Sequence, residues 1–279
     1  MSDMVKTGLG VTDIKPKIGS VIHAGKQELL SGKHADEIRD LLEQRGVLVF
    51  PKINLTDDEQ RQFTHTFGKI APERSGEDVF TISLDPEKTS GVEYLKGSLY
   101  WHFDGTMQPM PVLASILCSK VLSPPGTGNT EFANTYAAYD ELSPDQKAEL
   151  ERLRVVHSAW NTLLYYDPEP DQAKLEMFID TGEAELPLVW THKSGRKSLV
   201  LGCTARSIVG MDDKSGTLLL NRLREWATSE PFHYAHEWSV GDMVMWDNTG
   251  TLHRARPYPL DAGRELHRTK LEGEEPIRA

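Results

Sequence analysis

From residue 79 onward the chain breaks into short β-type runs, and this texture constrains its fold more than any other feature. Residues 79–84, 112–122, 155–160, 188–191, 198–202, 232–238, 243–246 and about 265–271 are rich in β-branched, aromatic and aliphatic side chains, with Gly- and Pro-rich connections between them. The regular strand–helix alternation of a doubly wound parallel sheet is missing. Helices are predicted at 34–45, where Ile38, Leu41 and Leu42 share a face before Gly46, and at 57–67 behind the capping-box spacing Thr56 to Glu59. Two more are predicted after Ser143-Pro144 and across 216–228, with Leu219, Leu223 and Trp226 inward. A mainly β chain with peripheral helices, a sandwich or jelly roll, fits this order, and residues 1–279 are expected to form one domain. Two polar stretches, near 71–98 and 161–185, read as weakly structured segments placed to act as lids.

Several function classes drop out. No G-x-G-x-x-G, Walker-A or G-x-S-x-G motif is present. With 31 basic and 42 acidic residues the net charge is −11, which removes the attraction that nucleic-acid and anionic-membrane binders depend on. Cys118 and Cys203 stand alone, with no C-x-x-C spacing, and read as small buried apolar residues in a reducing compartment. Met1 to Lys6 lack an apolar leader core, and the longest uncharged apolar stretch, 109–119, is too short to cross a bilayer. The expectation is a cytoplasmic homo-oligomer acting on a small molecule, with neither nucleic acid nor membrane as partner.

The chemistry concentrates in Trp101-His102-Phe103-Asp104. On an extended backbone residues i and i+2 point the same way, so His102 and Asp104 can offer an imidazole and a carboxylate to one metal ion. The run from Gly241 to His253 supplies a candidate third ligand, His253, 149 positions after Asp104. Two imidazoles and one carboxylate with open positions opposite is the arrangement of non-haem iron(II) oxygenases. Beyond His253 lie Arg254, Arg256, Arg264, Arg268 and Lys270 against Asp261 and Glu265, a local excess of three positive charges in an acidic chain. Arg264 and Arg268, four apart, share a face of an extended strand, and a guanidinium grips a carboxylate through paired hydrogen bonds. A dicarboxylate co-substrate held by metal and arginine would account for both features.

His233 and His236 fall on opposite faces of their strand and are not read as a metal pair. His23, His34, His157, His192 and His267 have no partner at a recognisable spacing, and His65 sits on the polar side of its helix. Trp101 and Trp246 read as wall and core residues. Arg74 and Lys96 read as loop charges.

Trp101 to Asp104, Pro124 to Phe132 with Ala137 to Asp140, Gly241 to Asn248 followed by His253, and Gly263 to Arg268 together resemble the iron(II)- and 2-oxoglutarate-dependent dioxygenases of the taurine and 2,4-dichlorophenoxyacetate type, nearer the phenoxyacetate branch. The resemblance covers nearly the whole chain. It implies a double-stranded β-helix with His102, Asp104 and His253 as iron ligands. It implies that Arg264 and the Thr130 hydroxyl hold the distal carboxylate of 2-oxoglutarate, with Arg268 near the co-substrate or an anionic substrate. The implied reaction consumes O2 and 2-oxoglutarate, releases succinate and CO2, and hydroxylates a small, carboxylate-bearing substrate. Where the attacked carbon carries an ether oxygen, the hemiacetal collapses and the ether is cleaved. Phe103, Gly105-Thr106-Met107 and Asn129 depart from the family pattern around the substrate pocket. Asp104 fills the position that related halogenases leave open for chloride, so hydroxylation is implied over halogenation. The alternatives are a jelly-roll protein that binds metal or a small acid without turnover, and a zinc hydrolase using the same three ligands.

Overall fold

A computed structural model describes residues 8–73, 76–89 and 92–279, with the Tyr94 side chain excepted. Residues 1–6 and Arg74, both read above from the sequence, lie outside the described residues. The chain opens with a hairpin of β1 (Gly10–Lys15) and β2 (Ile18–His23), then α1 (Lys26–Leu30) and α2 (Ala35–Arg45). Gly46, at φ 73°, donates its N–H to the Leu42 carbonyl at 2.7 Å, ending α2 as expected. β3 (Val47–Phe50) follows, and α3 (Asp57–His65) begins with the full capping box, Thr56 and Glu59 each bonding the other's backbone N–H. Then come β4 (Phe80–Ile82), α4 (Val92–Lys96), β5 (Ala114–Val121), β6 (Thr130–Asn134), α5 (Thr135–Asp140), α6 (Pro144–Leu150) and β7 (Arg154–Ser158). After them lie α7 (Ala159–Tyr166), α8 (Gln172–Ile179), β8 (Glu183–Pro187), β9 (Val189–Thr191), β10 (Lys197–Leu199), β11 (Ala205–Ile208) and α9 (Asp213–Ala227). β12 (His233–His236), β13 (Met243–Asp247), β14 (Thr251–Ala255) and β15 (Glu265–Lys270) complete the chain.

Seven strands form the major sheet in the order β1-β2-β3-β13-β5-β15-β4, and β12-β6-β14 form an opposing sheet. This is a jelly roll, the double-stranded β-helix, with its helices at the periphery. β13 shows how the sequence builds it. Met243 and Met245 face the layer of α1, α2 and α3 with Phe50, Phe63 and Ile116, whereas Val244 and Trp246 face the interior with Phe132, Leu117 and Leu266. A strand covered on both sides loses the polar alternation of a surface strand and reads as a continuous apolar run. α3 is held to the major sheet by polar contacts too: Gln60 Nε2 donates to the His267 carbonyl at 3.0 Å, and the Thr64 and Thr269 hydroxyls meet at 2.7 Å.

Several expectations are corrected. The amino-terminal hairpin gave no sequence signal, because β1 is largely exposed. The strand expected over 155–160 stops at Ser158, and Trp160 lies in α7. Residues 161–185 are not weakly structured; α7, α8 and β8 occupy most of them, and Asp171 caps α8 through the Lys174 N–H. Trp226 is not inward but 37% exposed, its Nε1 donating to the Ala138 carbonyl at 2.9 Å, while Leu219 and Leu223 are buried as expected. All five histidines read without a partner have one in the fold: His23 meets Thr12 (3.1 Å), His157 meets Thr204 (2.9 Å) and His192 meets Ser198 (2.8 Å), and His34 and His267 meet carboxylates. His34 is buried between Glu28 (2.8 Å) and Glu37 (2.9 Å), and His267 bonds Asp57 (2.7 Å) and Glu265 (3.0 Å). Among the described residues no helix is long and apolar enough to cross a membrane.

Candidate metal centre and arginine pocket

His102 and His253 are joined before any ligand enters. Their backbones form an antiparallel bridge, with the His102 N–H to the His253 carbonyl at 3.1 Å and the return bond at 2.8 Å. A cross-strand pair projects its side chains from one face, and the ring centroids stand 4.2 Å apart. The tetrapeptide that holds His102 is not a continuous strand: the bridge is confined to His102, and Asp104 opens a turn. Asp104 is fixed instead by Asn248, whose Oδ1 accepts the Asp104 N–H and whose Nδ2 donates to the Asp104 carbonyl, both at 2.8 Å, and also to the Val112 carbonyl at 2.8 Å. Gly202 packs behind His102: at φ 124° it brings the Cys203 N–H to the Trp101 carbonyl at 2.7 Å, and a Cβ there would stand 3.0 Å from that oxygen.

One side-chain atom each from His102, Asp104 and His253 lies within 4.8 Å of the others, the one such trio among the described residues. His102 Nε2 is 3.9 Å from Asp104 Oδ1 and His253 Nε2 is 4.0 Å from Asp104 Oδ2. Ligand bonds of about 2 Å would draw these atoms slightly inward around one ion. The donor set fits a divalent metal. Burial would raise the Asp104 carboxyl, but Arg268, His253, His102 and Lys270 outweigh it and hold it well below the usual carboxylate range. Burial pushes His102 down, and burial together with His102 pushes His253 well down, so both imidazoles are neutral with lone pairs to give. His102 Nδ1 lies 2.8 Å from the Tyr100 carbonyl, which accepts only from an N–H and therefore leaves Nε2 as the free lone pair. Trp246 packs 4.8 Å from the His253 ring, and Trp101 is buried under the Arg254 guanidinium at 4.5 Å, wall positions as expected.

Arg264, immediately before β15, and Arg268, within it, are both buried. Arg264 Nη2 donates to the Gly128 carbonyl at 2.9 Å and its guanidinium lies 4.6 Å over Tyr258, whereas Nη1 is buried with no hydrogen-bond partner. An orphaned, buried guanidinium nitrogen is costly unless a ligand supplies an acceptor, and the distal carboxylate of 2-oxoglutarate is such an acceptor. Arg264 also lines a cavity of about 140 Å³ with Gly128, Asn129 and Trp238. Gly128 is obligatory at φ 68°, since a Cβ would lie 2.3 Å from Ser123 Oγ and 3.0 Å from Arg264 Nε. Thr130 is buried nearby, its hydroxyl accepting the Trp238 indole N–H at 3.0 Å.

Arg268 faces two carboxylates. Its Nη1 is 3.4 Å from Asp104 Oδ2, and its Nε and Nη2 reach Glu73 Oε1 at 3.2 and 2.8 Å, while Lys270 Nζ reaches Glu73 Oε2 at 2.8 Å. Neither Asn248 nor Glu73 was singled out from sequence. Asn248 stands inside a noted run, but nothing in that run says it grips Asp104. Glu73 carries no local signal. His233 and His236 stay apart from the centre: His236 is buried against the Tyr234 hydroxyl (2.9 Å) and Asp242 (3.3 Å), and His233 faces Glu131 at 3.7 Å. Cys118 and Cys203 are buried, and burial raises their thiols to about 12 and about 11.

The family model described as "Taurine catabolism dioxygenase TauD, TfdA family" matches residues 10–270. The alpha-ketoglutarate-dependent 2,4-dichlorophenoxyacetate dioxygenase of Cupriavidus pinatubonensis is 36% identical over 261 residues, covering 87% of this chain and 90% of that protein. The (S)-phenoxypropionate/alpha-ketoglutarate-dioxygenase of Sphingobium herbicidovorans is 31% identical, covering 82% and 83%. The crystal structure of AAD-2 in complex with Mn(II) and N-oxalylglycine superposes with a TM-score of 0.81 at 31% identity, covering 97% of this chain and 100% of that one.

Proposed function

Because the chain belongs to the TauD, TfdA family and is an iron(II)- and 2-oxoglutarate-dependent dioxygenase, we propose that its substrate is a small aryloxyalkanoate-like acid and that His102, Asp104 and His253 hold the iron. The convergence of these three side chains beside two buried arginines carries the reading. Two relatives whose names specify phenoxyalkanoic acids support the substrate class. When bound, iron with 2-oxoglutarate and O2 supplies the oxidant, and 2-oxoglutarate leaves as succinate and CO2.

The chain's own residues do the positioning. His102 and His253 present neutral imidazoles fixed by their shared backbone bridge, and Asp104 presents an ionised carboxylate fixed by Asn248. Arg264, through its unpartnered Nη1, takes the distal carboxylate of 2-oxoglutarate, with the Thr130 hydroxyl beside it. Trp101, Phe103 and Trp246, all buried, keep bulk water from the reacting carbon. Residues 1–279 are read as one domain in which the stretches near 71–98 and 161–185 cover the substrate. These stretches are tied together, since Lys174 of α8 pairs with Glu93 of α4 and with Asp167 (2.8 Å), and the Tyr100 and Tyr165 rings meet at 5.1 Å. A cytoplasmic homo-oligomer that engages neither nucleic acid nor membrane completes the proposal. The charge of −11 supports the absence of a nucleic-acid role, and sedimentation measures the assembly.

A succinate-release screen tests the substrate. Phenoxyacetate and (S)-phenoxypropionate are expected to release succinate together with phenol in equal amounts. Succinate coupled only to alkyl sulfates or sulfonates, and never to phenoxyalkanoates, would overturn the substrate class while leaving the reaction class intact.

A further inference from the structure

Glu73 lies in the coil after α3 and sits deep beside the metal centre. Its side chain is 9% exposed, against 7% for Arg268 and 11% for Lys270. The Arg268 guanidinium grips one of its oxygens with two nitrogens and Lys270 takes the other, while the third Arg268 nitrogen points to Asp104. The position is therefore a carboxylate receptor already filled by the protein, one guanidinium away from a proposed metal ligand. Charge favours the occupant. Glu73 is a carboxylate that both Arg268 and Lys270 contact, and buried cations are stabilised by a paired, hydrogen-bonded carboxylate. The backbone behind Glu73 belongs to no helix or strand. Its N–H donates to the Glu77 carbonyl at 2.9 Å, its carbonyl accepts from Gly76 at 2.8 Å, and the Ala71 N–H bonds the Lys270 carbonyl at 2.8 Å. Because Glu73 itself stands in no strand, its side chain can withdraw without dismantling a sheet.

We propose that Glu73 is a specificity-determining residue that acts as an exchangeable internal carboxylate, filling the Arg268/Lys270 receptor until the carboxylate of the substrate displaces it. The inference rests on the acidic substrate proposed above. Exchange swaps one carboxylate for another on the same two cations, so the net charge of the buried cluster is conserved and the entering acid is selected by its carboxylate. A competitor tethered in the chain lowers apparent affinity by the fraction of time it leaves the receptor free, so removing it tightens binding of acids and leaves neutral analogues alone.

Phenoxyacetate and 2-phenoxyacetamide binding to the protein loaded with Mn(II) and N-oxalylglycine, followed by calorimetry, reads this directly. The unaltered protein binds phenoxyacetate, Glu73→Gln binds it about tenfold more tightly, and the amide binds both alike. Equal or weaker phenoxyacetate binding by Glu73→Gln, including none by either protein, overturns the proposal. Binding by the variant alone makes Glu73 a fixed barrier and overturns exchange. Failure of N-oxalylglycine to bind with Mn(II) counts against the metal-centre reading instead. A second measurement needs no metal: acetate is expected to raise the Tm of Glu73→Ala more than that of the unaltered protein by refilling the receptor, and equal shifts contradict the proposal.

Discussion

Asp104 is the carboxylate that faces both imidazoles, so Asp104→Ala takes away one of three proposed ligands and one of the acceptors of Arg268. Coupled succinate release is expected to fall to background, and ordinary turnover by the variant would remove the ligand assignment. Arg264→Ala leaves the metal trio intact and removes a charge-assisted pair, so the KM for 2-oxoglutarate should rise about 10- to 100-fold with a smaller change in kcat. An unchanged KM would reject the anchor. Asn248→Ala frees both backbone groups of Asp104 at once. The expected result is iron affinity weakened about 10- to 100-fold, measured anaerobically on protein whose far-UV spectrum is unchanged; unaltered affinity would show that the turn holds Asp104 by itself. The trio and the arginines were legible because their spacing is chemical: His-x-Asp, a later His, and a basic run in an acidic chain. Asn248 and Glu73 were not, since each acts on a residue more than a hundred positions away and carries no local pattern.

The helix α3 was readable from four residues, because a capping box is a local bond set complete within one turn. Thr56→Ala should cost about 1 kcal/mol of stability in urea unfolding and leave the 2-oxoglutarate KM alone, because α3 meets β15 through Gln60 and Thr64 and not through the arginines. A loss confined to activity would contradict this. α7 and α8 were missed for the converse reason. Asn161 bonds the Cys203 and Ala205 carbonyls, Lys174 bridges Glu93 and Asp167, and α8 has no fully buried residue to mark its inner face. Each helix is only eight residues long, too short to show a helical period, and the Asp-, Glu-, Gly- and Pro-rich connections around them read as loop. β14 was also missed as a strand although its central residue, His253, was singled out. Five residues fully paired to β6 carry too short a pattern to register.

In the whole molecule, pH acts through a buried carboxylate outside the metal trio. Burial raises Asp247 to about 6, although Thr249 donates to it from both its backbone N–H and its hydroxyl. A folded value above the unfolded one means the folded state binds more protons between about pH 4 and 6, so this contribution favours folding at low pH and is lost as pH rises through that window. The shift corresponds to roughly 2–3 kcal/mol. Asp247→Asn keeps an acceptor for Thr249 and should be more stable than the unaltered protein at pH 7, with the advantage fading toward pH 4. A pH-independent difference would contradict the assignment. The jelly-roll architecture was legible from the succession of strands, whereas the sheet order was not, because β13 lies between β3 and β5 through pairings nearly two hundred and more than a hundred residues apart in sequence. That long-range pairing also delivers the Asn248 side chain to Asp104, so fold and centre stand together. Anaerobic titration of the Fe(II)-loaded protein with 2-oxoglutarate tests that union most directly. The expected result is a weak visible charge-transfer band that saturates at one equivalent per chain and is lost in His253→Ala; a band of full strength in that variant would contradict the account.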